Sequence, residues 1–244
     1  ATTEGAVTTI GGGVRAGDNL FHSFTRFNLG PGDIARWIAS DALTIRNVIN
    51  RVTGGETSFI AGTIDTSAGA LDASNNKGDG GAIALNAAGN ITTGNITSSS
   101  TAGAGGNITL NSQTGAITSG NLNASGTTKG GTITVQTPIQ ITTKQINSSA
   151  SIGDGGNVLL DPQGDIQVDL INAQGGEQGK GGTVDITTEK FFRALGIFTD
   201  RNGIESSIST AGRTGGGSIA IRHGGGANTA FIVQRDANNG NTVD

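Results

Sequence analysis

The chain has 244 residues, of which 43 are Gly, with 34% hydrophobic, 14% charged and 4% aromatic residues and a formal net charge of −4. Gly costs about 1 kcal/mol per residue inside a helix, so this composition argues against a helical protein. The absence of Cys excludes disulfides, thiolate nucleophiles and Cys-ligated metals, and two His (His22 and His223) disfavour a His-based metal site; the five Lys and ten Arg are scattered singly, which leaves no basic tract for nucleic acid.

Residues 1–58 hold Trp37, Phe21, Phe24 and Phe27 and five of the ten Arg. The first twenty residues lack a basic stretch followed by an apolar run, so they carry no signal-peptide pattern. No apolar run approaches the ~18 residues that span a bilayer. Gly11-Gly12-Gly13-Val14-Arg15-Ala16-Gly17 follows the strand-like Val7–Ile10 and loosely resembles a dinucleotide loop. No helical pattern follows it, so it reads as a turn. His22, between Phe21 and Phe24, reads as a structural residue, because no second His lies nearby. The region reads as a cap over residues 1–64, with Phe21, Phe24, Phe27 and Trp37 closing one end of a core whose strand edges must be covered.

From residue 65 to 244 the sequence repeats. Adjacent glycines fall at Gly80-Gly81, Gly105-Gly106, Gly130-Gly131, Gly155-Gly156 and Gly181-Gly182, a nearly constant spacing, and again at Gly216-Gly217 after a longer interval. A period in this range marks solenoids or arrays, which sets the chain apart from a disordered one of similar composition. Two residues after each pair stand Ile83, Ile108, Ile133, Val158, Val184 and Ile219; four after it stand Leu85, Leu110, Val135, Leu160, Ile186 and Ile221. Polar or small residues mostly separate them, which is the alternation of a strand with one face inward. Ile91, Ile141, Ile166 and Phe192 form a third inward column, and Ile96, Ile146, Ile171 and Ile197 a fourth; Ile117 and Leu122 join them after a one-residue shift. A coil of ~25 residues with short strands suits an all-β parallel β-helix, in which like residues stack at ~4.8 Å.

The stacking predicts a ladder of Asn86, Asn111, Gln136, Asp161 and Thr187 bonded from coil to coil, and Lys129, Asp154 and Lys180 in line on one exposed edge. The long sixth interval places about ten extra residues after Ile197, so Phe198–Ser207 is expected to leave the coil as a lateral loop or hairpin, turning at Asn202-Gly203. Loops on a rigid scaffold are where binding resides, so Phe198, Asp200, Arg201 and Asn202 are candidate partner contacts. Of Phe191, Phe192 and Phe198, weighed as a glycan-stacking patch, Phe192 fits a core column and is expected to pack inside, which leaves Phe191 and Phe198 as the open cases. Asp161, Asp165 and Asp169 are the densest acids, but no outward column gathers several acids and an Arg, so no catalytic residue is assigned. Gly-Asp-Gly-Gly at 78–81 and 153–156 lacks the continuation that a calcium nonapeptide needs, and no cofactor or metal is expected.

The run Asn19-Leu20-Phe21-His22-Ser23-Phe24 with Phe27-Asn28 resembles the first signature of the filamentous-haemagglutinin N-terminal domain. Asn47-Val48-Ile49-Asn50-Arg51-Val52-Thr53-Gly54-Gly55, followed by Ser58 and Ile60-Ala61-Gly62, resembles its second. The repeats and the stretch from Phe191 to Gly226 look like large cyanobacterial exoproteins with this domain. The resemblance implies a right-handed parallel β-helix and a non-enzymatic, secreted or surface-displayed exoprotein of adhesin or haemagglutinin type. An outer-membrane two-partner secretion transporter would be its partner, reading Asn19, Leu20, Phe21, His22, Phe24, Phe27, Asn28, Arg51, Thr53, Gly54 and Gly55. The family's Asn-Pro-Asn-Gly type block is missing here. Binding to a surface glycan or cell fits the same reading. The alternatives are a structural subunit that stacks end to end through the β-helix ends into a filament or layer, and a polysaccharide-active enzyme.

Overall fold

The computed structural model describes residues 2–5, 7–17, 19–30, 33–37, 47–52, 64–66, 70–225 and 232–233. These contain strands and turns and no helix. Three parallel sheets run along residues 64–233, each strand pairing with its counterpart one coil away. The first sheet stacks Ile83–Ala87, Ile108–Ser112, Ile133–Thr137, Val158–Pro162, Thr183–Thr188 and Ser218–His223. The second runs from Ile64–Thr66 through Ile91–Thr93, Ile117–Thr118, Ile141–Thr142, Ile166–Val168 and Phe192–Ala194 to Ile232–Val233. The third runs from Leu71–Asp72 through Ile96–Thr97, Leu122–Asn123, Gln145–Asn147 and Leu170–Asn172 to Ile208–Ser209. This is the parallel β-solenoid that the repeat predicted.

The inward columns stack in register. Ile91, Ile117, Ile141, Ile166 and Phe192 pair without a break, including the shifted Ile117. With Ile96, Leu122, Ile146 and Ile171, and with Leu110, Val135, Leu160 and Ile186, they form one continuous buried cluster. Each fully buried aliphatic side chain contributes about 1.5–3 kcal/mol against exposure. One expected member stands elsewhere, and another holds its register opposite Val184 but is exposed. Ile197 is 45% exposed, and Ile208 takes its place beside Ile171. Ile219 lies on the last strand of the first sheet and is also 45% exposed, because a column position is covered only when a coil lies on both sides.

The repeated glycines serve close approach. None of the five regularly spaced pairs has a positive φ. A Cβ on Gly105, Gly130, Gly155 or Gly181 would collide with the carbonyl oxygen of Ala124, Ser148, Ala173 or Thr210. A Cβ on Gly131, Gly156, Gly182 or Gly217 would collide with the carbonyl of the second glycine one coil earlier. The pairs therefore form a column in which backbone stacks on backbone with no room for a side chain.

Coil-to-coil polar bonds lie mainly at the corners. Asn111 Nδ2 and Gln136 Nε2 reach Asn86 and Asp161 only at 3.5 Å. Shorter bonds come from carboxamides and carboxylates that accept a backbone N–H of the next coil. Asn90 accepts from Ala116 at 2.8 Å, Asn107 from Thr132 at 2.9 Å, Asn157 from Thr183 at 2.9 Å and Asp79 from Ala104 at 2.8 Å. Lys129, Asp154 and Lys180 are exposed or nearly so along one edge, and the Lys129 backbone bridges to that of Asp154. Asp154 accepts the Lys180 backbone N–H at 2.8 Å. On the third sheet Asn123, Asn147 and Asn172 each accept the N–H two residues on, from Ser125, Ser149 and Gln174. Such Asx turns bend the chain out of the strand.

The N-terminal residues are themselves coiled. Strand β2 (Val7–Ile10) pairs in parallel with β5 (Ile34–Trp37), with Val7 opposite Ile34. Strand β4 (Asn19–Phe24) pairs in parallel with β6 (Asn47–Val52), with Asn19 opposite Asn47. Both offsets are slightly longer than the step between repeats, such as Ile108 to Ile133. The outer edges of β2 and β4 are covered by short antiparallel strands, β1 (Thr2–Glu4) and β3 (Val14–Ala16). Phe21 faces outward at 38% exposure between the buried Leu20 and His22, contrary to the expectation that it closes the core. Phe24 and Phe27 are half-buried with ring centroids 5.1 Å apart, and the Trp37 side chain lies outside the described residues.

Candidate functional sites

Two places combine unusual sequence with defined geometry. The first is the β4–β6 pair. The two signature blocks are distant in sequence, yet they lie side by side in register: Leu20 opposite Val48, Phe21 opposite Ile49, His22 opposite Asn50, Ser23 opposite Arg51 and Phe24 opposite Val52. Strand alternation sends Leu20 and His22 inside and leaves Phe21 and Ser23 exposed. The His22 ring stacks on Phe24 with centroids 6.1 Å apart. A Cβ on Gly13 would come within 2.9 Å of the His22 Cε1, and Gly13 holds φ +96° in the turn before β3. His22 is thus a packed residue of this strand pair, as read from the sequence. Phe27 and Asn28 follow β4, while Thr53, Gly54 and Gly55 lie outside the described residues.

The second is an antiparallel hairpin between the second and third sheets. Phe198–Thr199 pairs with Glu205–Ser206, separately from all three parallel sheets. The chain crosses between these sheets from Phe192 to Ile208, where the preceding coil needs only the short run from Ile166 to Ile171. Ile197 therefore belongs to the excursion and not to the core. The tip is a tight turn in which Gly203 N–H bonds to Asp200 O at 3.0 Å and Gly203 takes φ +79°. Asp200 organises it: its carboxylate accepts the N–H groups of Asn202 (2.8 Å) and Ile204 (3.0 Å) and the Ser209 hydroxyl (3.2 Å). Arg201 fastens the hairpin to the preceding coil, with its N–H on Gln174 Oε1 at 2.6 Å and its guanidinium on Glu177 at 2.8 Å.

Of the candidate contacts, Asp200 and Arg201 are thus occupied in holding the hairpin, Phe198 is half-buried and Asn202 is exposed. Ile204 is 59% exposed beside the tip. Gln174 and Glu177 were not legible as part of this site, because their role exists only once the hairpin folds back over its neighbour. Phe192 is core, as its column position predicts, while Phe191 is 44% exposed on the outside. Asp161, Asp165 and Asp169 are spread along one coil, from the first sheet to the turn after the second, and Asp165 accepts the Phe191 N–H at 3.2 Å. Among the described residues, no group of three or more His, Cys, Asp or Glu converges for a metal, and no helix is long and apolar enough to cross a membrane.

Residues 1–78, about a third of the chain, match the family model of the TPS secretion domain. No curated protein and no solved structure matches the chain significantly. The matched segment contains both signature strands, β4 and β6, in agreement with the resemblance to the filamentous-haemagglutinin N-terminal domain. A TPS secretion domain implies an outer-membrane transporter as its partner and export from the cell.

Proposed function

We propose that the chain is a non-enzymatic exoprotein segment of adhesin or haemagglutinin type, delivered to the cell surface or medium by two-partner secretion. A secretion domain followed by a β-solenoid supports export of a rigid rod. The observation that carries transporter recognition is the in-register juxtaposition of the two signature blocks on β4 and β6. In this reading the transporter reads that strand pair, and Phe21 is the large apolar side chain of β4 left on the surface for it to touch. The hairpin around Asp200 is the second contact, presented by the rod to a surface partner. End-to-end stacking into a filament fits less well, because β1 and β3 cover the edges of β2 and β4 on which another chain would pair.

The test is co-expression with a two-partner secretion barrel. The chain is expected in the medium only when the barrel is present. Phe21→Ser is expected to block export while the purified variant keeps the wild-type melting temperature. Equal export of wild type and Phe21→Ser would overturn this recognition surface, and export without any barrel would overturn the secretion route.

A further inference from the structure

We propose that the outward face of the second sheet binds a linear polysaccharide bearing carboxylates, with Phe191 and Arg193 at its centre; this rests on the exported-adhesin reading and names its ligand class. Phe192 is 1% exposed and faces the core. Strand alternation therefore sends its neighbours Phe191 and Arg193 outward, about 7 Å apart. The Phe191 ring is 44% exposed and held in place. Gly225 lies against it so closely that a Cβ there would come within 2.6 Å of the ring's Cδ1. Arg193 is exposed, and where Arg201 and Arg222 engage Glu177 and Asp185, no described carboxylate engages it.

The register extends this pair into a track. Arg193 stands beside Gln167, Gln167 beside Thr142, Thr142 beside Thr118 and Thr118 beside Thr92. From Arg193 to Thr92 that is one guanidinium, one carboxamide and three hydroxyls, stepping ~4.8 Å per coil along the axis, and the register continues to Asp65 beyond Thr92 and to Ile232 beyond Arg193. Such a column offers donors and acceptors to successive sugar hydroxyls. An exposed aromatic face takes the C–H side of a pyranose, and a free guanidinium takes a carboxylate in bidentate fashion. The neighbouring Asp165 already receives the Phe191 N–H and has a lone pair for a sugar hydroxyl. A protein partner would need a buried apolar centre, and here a single aromatic ring stands beside the Asp165 carboxylate and the Arg193 guanidinium. A nucleic acid would need several aligned cations, and the column from Arg193 to Thr92 holds one.

The experiment is isothermal titration of the purified full chain with a hexamer of galacturonate and with a neutral galactan hexamer. The wild type is expected to bind the acidic hexamer and to prefer it over the neutral one. Arg193→Ala is expected to lose roughly tenfold or more in affinity for the acidic hexamer and to erase the preference. Phe191→Ala is expected to weaken both, and Phe191→Trp to restore binding, which separates a stacking role from a folding defect. Lys129→Ala, on another edge of the coil, is expected to bind as wild type. Absence of wild-type binding, or wild-type affinity in both Arg193→Ala and Phe191→Ala, would overturn the site. If the chain adheres to cells equally with and without those two substitutions, the adhesin reading stands and this site falls.

Discussion

The N-terminal residues and the repeat region use the same parallel pairing but differ in what enforces it. In the repeats, coil length is nearly constant up to the hairpin, and a glycine column lets backbone stack on backbone. In the N-terminal strands the coils are a little longer, no such column exists among the described residues, and short antiparallel strands cover the edges. The repeats gain their specificity from identity between neighbours. The N-terminal strands gain it from individual side chains such as Leu20 and His22. The glycine column admits no side chain, whereas the inward columns hold Ile, Leu, Val or Phe.

That contrast is broken most severely by filling the glycine column. Gly156→Val is expected to destabilise by about 3 kcal/mol or more, because the colliding atoms are backbone and cannot swing away. Chemical denaturation followed by circular dichroism at β wavelengths checks this; a variant within experimental error of wild type would remove the explanation for the pairs. Phe192→Ala comes next, with a loss of about 3–5 kcal/mol for a buried ring, while Phe191→Ala at the adjacent position should stay within about 0.5 kcal/mol. Similar losses for both would mean that the inward and outward assignment of that strand is wrong. At the other end, Leu20→Ala should cost about 2–4 kcal/mol and Phe21→Ala less than about 1 kcal/mol, measured as stability of the whole chain. A reversed order would place Phe21 inside and return it to the role of core closure.

Smaller effects sharpen the comparison at the hairpin. Asp200→Ala removes three accepted hydrogen bonds and should cost about 1–2 kcal/mol, with faster amide exchange at Asn202 and Ile204 and unchanged exchange in the parallel strands. Exchange rising throughout the coil would show that the hairpin is integral to the fold. Arg201→Ala should have the least effect, at most about 1 kcal/mol, because Glu177 is largely exposed and the pair is screened by salt. The expected sign is that the difference between wild type and variant shrinks as salt is added.

Much of the coil was legible in the sequence because its determinants are periodic. Ile91, Ile117, Ile141 and Ile166 announce one column, and even the one-residue shift at Ile117 is readable, since the columns resume on either side of it. Ile197 misled because an isoleucine at nearly the right spacing mimics a column member; only pairing reveals that Ile208 stacks on Ile171. Phe21 misled for a different reason. Its size argues for burial, but alternation along β4 is phased by Leu20 and His22, and a strand cannot bury adjacent residues on one face. The polar corners were only half readable. Asparagines at turns were evident, but whether Asn107 bonds its own side-chain counterpart or the Thr132 backbone depends on the rise between coils. At the candidate sites, the signature blocks were visible separately, and their adjacency was not.

The register of the second and third sheets makes the rod a ruler. Each coil advances any surface feature by one strand spacing, ~4.8 Å, and leaves it on the same side of the rod. Distance along the axis is therefore counted in whole coils, and orientation is conserved through the count. Inserting one further unit, such as residues 131–155 again, would carry the Asp200 hairpin one step farther from Asn123 without turning it. Length and facing direction are thus separately adjustable: the first by copying a unit, the second only by changing the number of residues within one.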